Sequence, residues 1–207
     1  MSEQLPTQLF GRVDESQDAD FYQEPRLVTH IDPETIAALT GFYEEFVPAG
    51  ADVLDLMSSW VSHLPGNLTY GRVAGLGMNA EELAANPQLT EHCVHDLNAQ
   101  PDLPFAADSF DRALIAVSIQ YLIQPVEVLR SVANVLRSGG RICIAMSHRM
   151  FPTKAILAFH RLDASERVQL VSTYLKNSGF AEVDFIDRSP QNADPLWLLV
   201  ADVPHRA

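Results

Sequence analysis

From residue 52 onward, short apolar runs alternate with stretches of helical spacing, and this alternation restricts the fold more than any other feature of the chain. Residues 53–56, 72–76, 92–94, 110–117, 141–146, 181–185 and 196–201 read as strands. Between them helices are predicted over 80–85, where Asn79 can cap, over 125–136, stopped by Ser138-Gly139-Gly140, and over 165–178, stopped by Gly179. The run Arg141-Ile-Cys-Ile-Ala-Met146 is almost continuously apolar, as expected of a strand covered on both faces. Such alternation favours a three-layer α/β domain over a sandwich or a bundle.

The first 20 or so residues are polar and acidic without periodicity, and read as a mobile arm or loose cover. Asp32-Pro33-Glu34 then opens a helix, with Asp32 as cap and Pro33 in the first turn. Ile36, Leu39, Phe42, Tyr43 and Phe46 continue it at helical spacing to Pro48. The expected organisation is an arm with a helical cover over 1–48 and one core domain over 49–207.

With 207 residues and 47% apolar content, the chain can bury one full core. A formal net charge of −13 argues against nucleic acid and anionic membrane as partners, since both recruit Lys and Arg clusters. No stretch is apolar enough to span a bilayer, and Met1-Ser-Glu-Gln lacks a signal peptide's basic start. Cys93 and Cys143 sit in strand-like runs and read as buried free thiols in a reducing compartment. A cytoplasmic protein is expected.

The segment 51–60 closes the first strand on a carboxylate, Asp55, followed by Ser58 and Ser59, which can open a helix. The carboxyl ends of strands in an open α/β sheet are where ligands bind. Nucleotide-binding loops there carry glycines; this chain has Met57, Ser59 and Val61, and Met57 and Val61 are poorly suited to a positive φ.

Further on, Asp96-Leu-Asn-Ala-Gln-Pro-Asp-Leu-Pro-Phe-Ala-Ala-Asp-Ser-Phe-Asp111, then 113–121, then Leu136-Arg-Ser-Gly-Gly-Arg141, form an ordered set. In that set the chain resembles the class I S-adenosylmethionine-dependent methyltransferases of the small-molecule, type 11 kind. The resemblance implies a doubly wound Rossmann-like core, a seven-stranded, mostly parallel sheet with its last strand antiparallel, and S-adenosylmethionine as cofactor. By the same resemblance, Asp55 lies near the cofactor's methionine moiety, and Met57, Ser58 and Ser59 form the degenerate glycine loop. Gly77, with Met78 and Asn79, stands where an acid normally holds the ribose. Asn79 can serve the ribose instead or simply cap its helix. Asp96 and Leu97 match the adenine-recognising pair, and Ser118 to Tyr121 the region facing cofactor and acceptor.

Other positions are candidates by location. His148 and Arg149 follow the fifth strand, where a base and an anion-holding group would fit, although Arg149 can equally pair with a surface acid. Tyr22, Arg26 and His30 lie in the segment expected to cover the site and can line an acceptor pocket. Gln120 and Tyr121 directly follow the fourth strand, and Tyr121 can also be core. His148, Tyr121 and Tyr22 are the candidate catalytic groups; Arg26, His30, Gln120 and Arg149 are the candidate substrate contacts. His92 and His95 point to opposite faces of a strand and no CxxC or HExxH spacing occurs, so no metal is expected. GxSxG and GxxxxGK[ST] motifs are absent, and a dehydrogenase would need the missing glycines and acid. The expected function is methyl transfer to a small-molecule acceptor, with a protein partner also compatible. The alternative is a non-catalytic methyltransferase-like protein that binds a metabolite or regulates a partner.

Overall fold

The computed structural model describes residues 7–205. The remainder of the predicted arm, residues 1–6, lies outside the described residues. Strands β1 (Asp52–Leu56), β2 (Arg72–Gly77), β3 (Glu91–Val94), β4 (Phe110–Ala116), β5 (Leu136–Met146), β6 (Ala181–Asp187) and β7 (Trp197–Asp202) form one sheet in the order β3-β2-β1-β4-β5-β7-β6. β3, β2, β1, β4 and β5 are parallel, and β7 runs antiparallel to both β5 and β6. Helices α1 (Asp18–Phe21), α2 (Pro33–Phe46), α3 (Ala80–Ala85), α4 (Pro125–Val135), α5 (Leu157–Arg161) and α6 (Ala164–Asn177) accompany it.

Successive residues of a strand face opposite sides, which divides the apolar core into two slabs. Leu54, Ile115, Ile142 and Ile144 meet α4 and α6 through Val128, Val132, Val171 and Tyr174. Val53, Leu114, Cys143 and Val200 meet α2 through Leu39, Phe42, Tyr43 and Phe46. Helix α2 begins as its residues dictate: Asp32 accepts from the Thr35 N–H, and Pro33 occupies the first turn. It is then held by Thr35 Oγ1, which donates to the Asp194 carbonyl.

Several expectations are corrected. No helix follows β1. Residues 57–71 run as an irregular loop whose backbone is satisfied from afar: Asn86 Nδ2 donates to the Ser59 carbonyl, and Gln88 bonds both the N–H and the carbonyl of Leu64. Ser58 does not cap; its hydroxyl donates to Asp55 Oδ2 at 2.6 Å. Helix α4 ends at Val135, and Ser138-Gly139-Gly140 forms an irregularity within β5 rather than a helix stop, with Gly139 at φ +72°. Cys93 lies on the edge strand β3 and is only half-buried.

Residues 7–20 are not loose. Arg12 binds Asp18 through two hydrogen bonds, at 2.7 and 2.9 Å, and Asn98 Nδ2 reaches the same carboxylate. Lys154 is fully buried beneath this segment, donating to the Ser16 carbonyl at 2.7 Å and pairing with Asp14 and Asp18. A buried ammonium persists only with such partners. The N-terminal segment is thereby strapped across the carboxyl edge of the sheet.

Candidate active site

Under that strap lies a cavity at the carboxyl ends of β1, β2 and β4, reaching Asp96 and Leu97 just past β3. Its floor is set by strand ends. β1 delivers Asp55, 3% exposed, with the Ser58 hydroxyl on its carboxylate. Burial pushes the Asp55 carboxyl up to about 6, against the hydroxyls of Ser58 and Ser62, which lower it. Met57 then turns the chain with φ +55°, so a non-glycine residue does adopt the left-handed conformation the sequence disfavoured. Val117, closing β4, does the same at φ +51°. Such conformations in bulky and β-branched residues are costly and cluster at functional sites.

The loop after β1 crosses directly over the end of β2. The Ser58 N–H donates to the Leu76 carbonyl at 2.9 Å, and a Cβ at Gly77 would collide with the Ser58 carbonyl oxygen. Glycine at 77 is therefore a consequence of the rebuilt loop, and no acid fits there. The carboxylate next to this spot comes from Glu82, in the first turn of α3, whose oxygens accept from Ser59 Oγ and the Arg26 N–H at 2.6 Å each. Asn79 is already committed: its carbonyl oxygen caps α3 at Glu81 and Glu82, and its Nδ2 donates to the Tyr22 and Gln23 carbonyls.

Asp55, Met57, Ser58, Ser59, Gly77, Met78, Asn79, Asp96, Leu97, Ser118, Tyr22, Arg26, His30 and Tyr121 all line the cavity. Asp96 Oδ1 accepts from the N–H groups of Asn98 and Ala99. The Ser118 hydroxyl is buried with no hydrogen-bond partner among the described residues. Trp60 is turned outward to the strap, its indole N–H donating to the Val28 carbonyl, so it does not fill the crevice.

Three candidates stand elsewhere. His148 Nε2 lies 3.0 Å from Asp194 Oδ1, and Arg149 Nε donates to the same carboxylate at 2.9 Å. Asp194, from the β6–β7 loop, captures both, and His148 does not line the cavity. Arg149 borders only an adjoining hollow with His30, Tyr121 and Phe151. Gln120 is buried and holds the Val117 and Arg149 carbonyls together. Both cavity phenols resist ionisation: burial raises Tyr22 and Tyr121. Neither serves as a base near neutral pH. His148→Ala is expected to leave ligand binding in the cavity unchanged to within about twofold, measured by calorimetry, because His148 stands outside it.

Sequence reading missed Glu82, His63 and Phe151, which also line the cavity. An acid in a helix's first turn reads as a partner of the helix dipole, and His63 sits in a loop whose path is fixed by distant amides.

Residues 58–144 match the family model described as a methyltransferase domain. Methyltransferase GfsG of Streptomyces halstedii is 33% identical over 109 residues, which cover 48% of this chain and 38% of that protein. The chain thus matches well under half the length of this curated relative. Among solved structures, the [4+2]-cyclase SpnF aligns with a TM-score of 0.61 at 16% identity, over 81% of each chain. An S-adenosylmethionine-dependent methyltransferase from Mesorhizobium loti aligns at 0.56 and 17%, over 80% of this chain and 97% of that one. A Haemonchus contortus phosphoethanolamine N-methyltransferase, solved with phosphomonomethylethanolamine and S-adenosylhomocysteine, aligns at 0.59 and 14%, over 83% and 52%. At these identities the structural likeness is one of fold. Residues 58–144 are thus similar to a methyltransferase domain, and the strand order with its antiparallel seventh strand is the fold these solved structures share.

Proposed function

We propose that this chain binds S-adenosylmethionine beneath the N-terminal strap and transfers its methyl group to a small-molecule acceptor. The observation that carries the reading is the cavity itself: it survives the loss of the glycine loop, with Asp55, Glu82 and Asp96 on its wall and Ser118 Oγ unsatisfied among the described residues. Asp96 and Leu97 would hold the adenine edge. Glu82 would take the ribose hydroxyls in place of an acid at position 77, since each of its oxygens keeps a second lone pair. Asp55 would face the cationic methionyl end, and Ser118 would donate to or accept from it.

When bound, the cofactor supplies an electrophilic methyl on a sulfonium. Around it the chain provides position and dryness: the strap excludes water, and the strand ends fix Asp55 and Ser118. With His148 held outside and both phenols protonated, positioning carries most of the catalysis.

Calorimetric titration with S-adenosylhomocysteine tests the reading. Saturable micromolar binding, weakened at least about tenfold by Asp96→Ala, is expected; the absence of heat at millimolar ligand would refute it. Glu82→Gln is expected to weaken the same binding by about tenfold through loss of charge-assisted bonds to the ribose, while 2′,3′-dideoxy nucleoside analogues bind both proteins alike. Equal loss for the analogues would assign Glu82 to the strap alone. A second reading, a methyltransferase fold turned to another use, is favoured by the rebuilt loop over 57–71. It would be supported by S-adenosylmethionine binding without methyl turnover across a broad acceptor panel.

A further inference from the structure

Arg26 carries one committed nitrogen and one free one. Nη2 donates to the Phe21 carbonyl at 2.8 Å, while Nη1 is buried with no partner among the described residues and Arg26 lines the cavity. The guanidinium carbon lies 4.4 Å from the Phe21 ring centre and 5.6 Å from that of Phe151. Those rings fix its plane. His63 likewise faces the cavity with Nδ1 buried and unpartnered among the described residues. His30 lies edge-on to Phe151, at 5.3 Å between ring centres, and borders both the cavity and the adjoining hollow. Phe151 in turn stacks on Tyr121 at 5.8 Å. An orphaned guanidinium N–H group and an orphaned imidazole nitrogen inside one cavity are costly unless a ligand satisfies them.

We infer that Arg26 Nη1 and the imidazoles of His63 and His30 form an acceptor subsite for a single carboxylate borne on an apolar body, which would lie along the Tyr121–Phe151 wall. The inference rests on the methyltransferase reading only for the word acceptor; the subsite itself stands on the free donors. A monoanion fits better than a phosphate. Burial lowers both imidazoles, His63 to about 4, so at neutral pH they donate hydrogen bonds without adding charge. Among the described residues lining the cavity Arg26 is then the one fixed positive charge, and Glu82 and Asp55 on the same cavity oppose a dianion.

The probe is benzoate, titrated calorimetrically against the free protein and against the protein saturated with S-adenosylhomocysteine, with benzamide and inorganic phosphate as comparisons. Benzoate is expected to bind saturably in the millimolar range, at least about tenfold tighter than benzamide or phosphate. Arg26→Leu and, separately, His63→Asn, which tolerates the φ of +55° at that position, are expected to weaken benzoate by about tenfold and about threefold. Both variants should keep the affinity for S-adenosylhomocysteine. Equal binding of benzoate and benzamide, or no binding of either, overturns the subsite. So does a loss of S-adenosylhomocysteine affinity in Arg26→Leu matching its loss for benzoate, which would give the guanidinium to the cofactor's own carboxylate. Failure of S-adenosylhomocysteine to bind wild type, with benzoate still bound through Arg26, would remove the methyltransferase reading and leave the carboxylate site.

Discussion

Asp55→Asn stabilises the free protein at pH 7.5 and weakens its hold on S-adenosylmethionine. The carboxyl is buried with only hydroxyls for company, and its folded value of about 6 stands above the ordinary 3.8. A group raised on folding stabilises while it keeps a proton that the unfolded chain has lost. Well below pH 3.8 both states are protonated. As pH climbs from about 4 to about 6, only the unfolded chain ionises freely, so stability falls. By pH 7 the full penalty is present, about 3 kcal/mol for a gap of about two pH units. Asparagine keeps an oxygen for the Ser58 hydroxyl and carries no charge. Thermal melts between pH 4 and 8 should show wild type losing several degrees across this window relative to Asp55→Asn. Parallel curves would show that Asp55 is solvated. A cationic ligand offsets the penalty in wild type alone, so cofactor affinity should drop at least about tenfold in the variant.

Gly77→Asp, which supplies the acid that the family places at the end of the second strand, damages the protein. The obstacle is the first atom of the side chain: a Cβ there meets the Ser58 carbonyl oxygen and approaches Leu83 Cδ2 at 3.2 Å. Relief requires the loop to lift, breaking the Ser58 N–H bond to Leu76 and shifting the hydroxyl that holds Asp55. A cost of about 2–4 kcal/mol follows, with cofactor affinity lost in parallel. Gly77→Ala should behave almost as badly, because the collision does not depend on the carboxylate. Chemical denaturation with S-adenosylhomocysteine titration checks both. A Gly77→Asp protein as stable as wild type and tighter for the ligand would mean that the loop does not cross β2.

What could be read in the sequence was what local pattern encodes. The apolar runs became the seven strands within a residue or two, except β5, whose early start depends on pairing of Leu136 with Phe110 across the sheet. Helix α3 followed from the Asn79 cap because that bond is local. The serine pair after Asp55 resembled a helix start, yet Asn86 and Gln88 draw the loop aside, and no local pattern records that pull. Asp55, Asp96 and Ser118, singled out through the resemblance, all line the cavity at the carboxyl edge of the sheet, where ligands bind in such folds. His148 and Arg149 also follow a strand end, yet they lie outside that cavity, each against Asp194 from a loop over 40 residues away. Glu82, Arg26 and His63 acquire their shared setting only when the N-terminal strap closes, through contacts such as the Arg26 N–H to Glu82, 56 residues apart.

The most direct measurement is a crystal structure of the protein grown with S-adenosylhomocysteine. The expected map has the adenine at Asp96 and Leu97, the ribose hydroxyls on Glu82, and the homocysteine end between Asp55 and Ser118, all beneath a closed strap. An empty cavity at millimolar ligand, or a nucleoside lodged anywhere else, would contradict it.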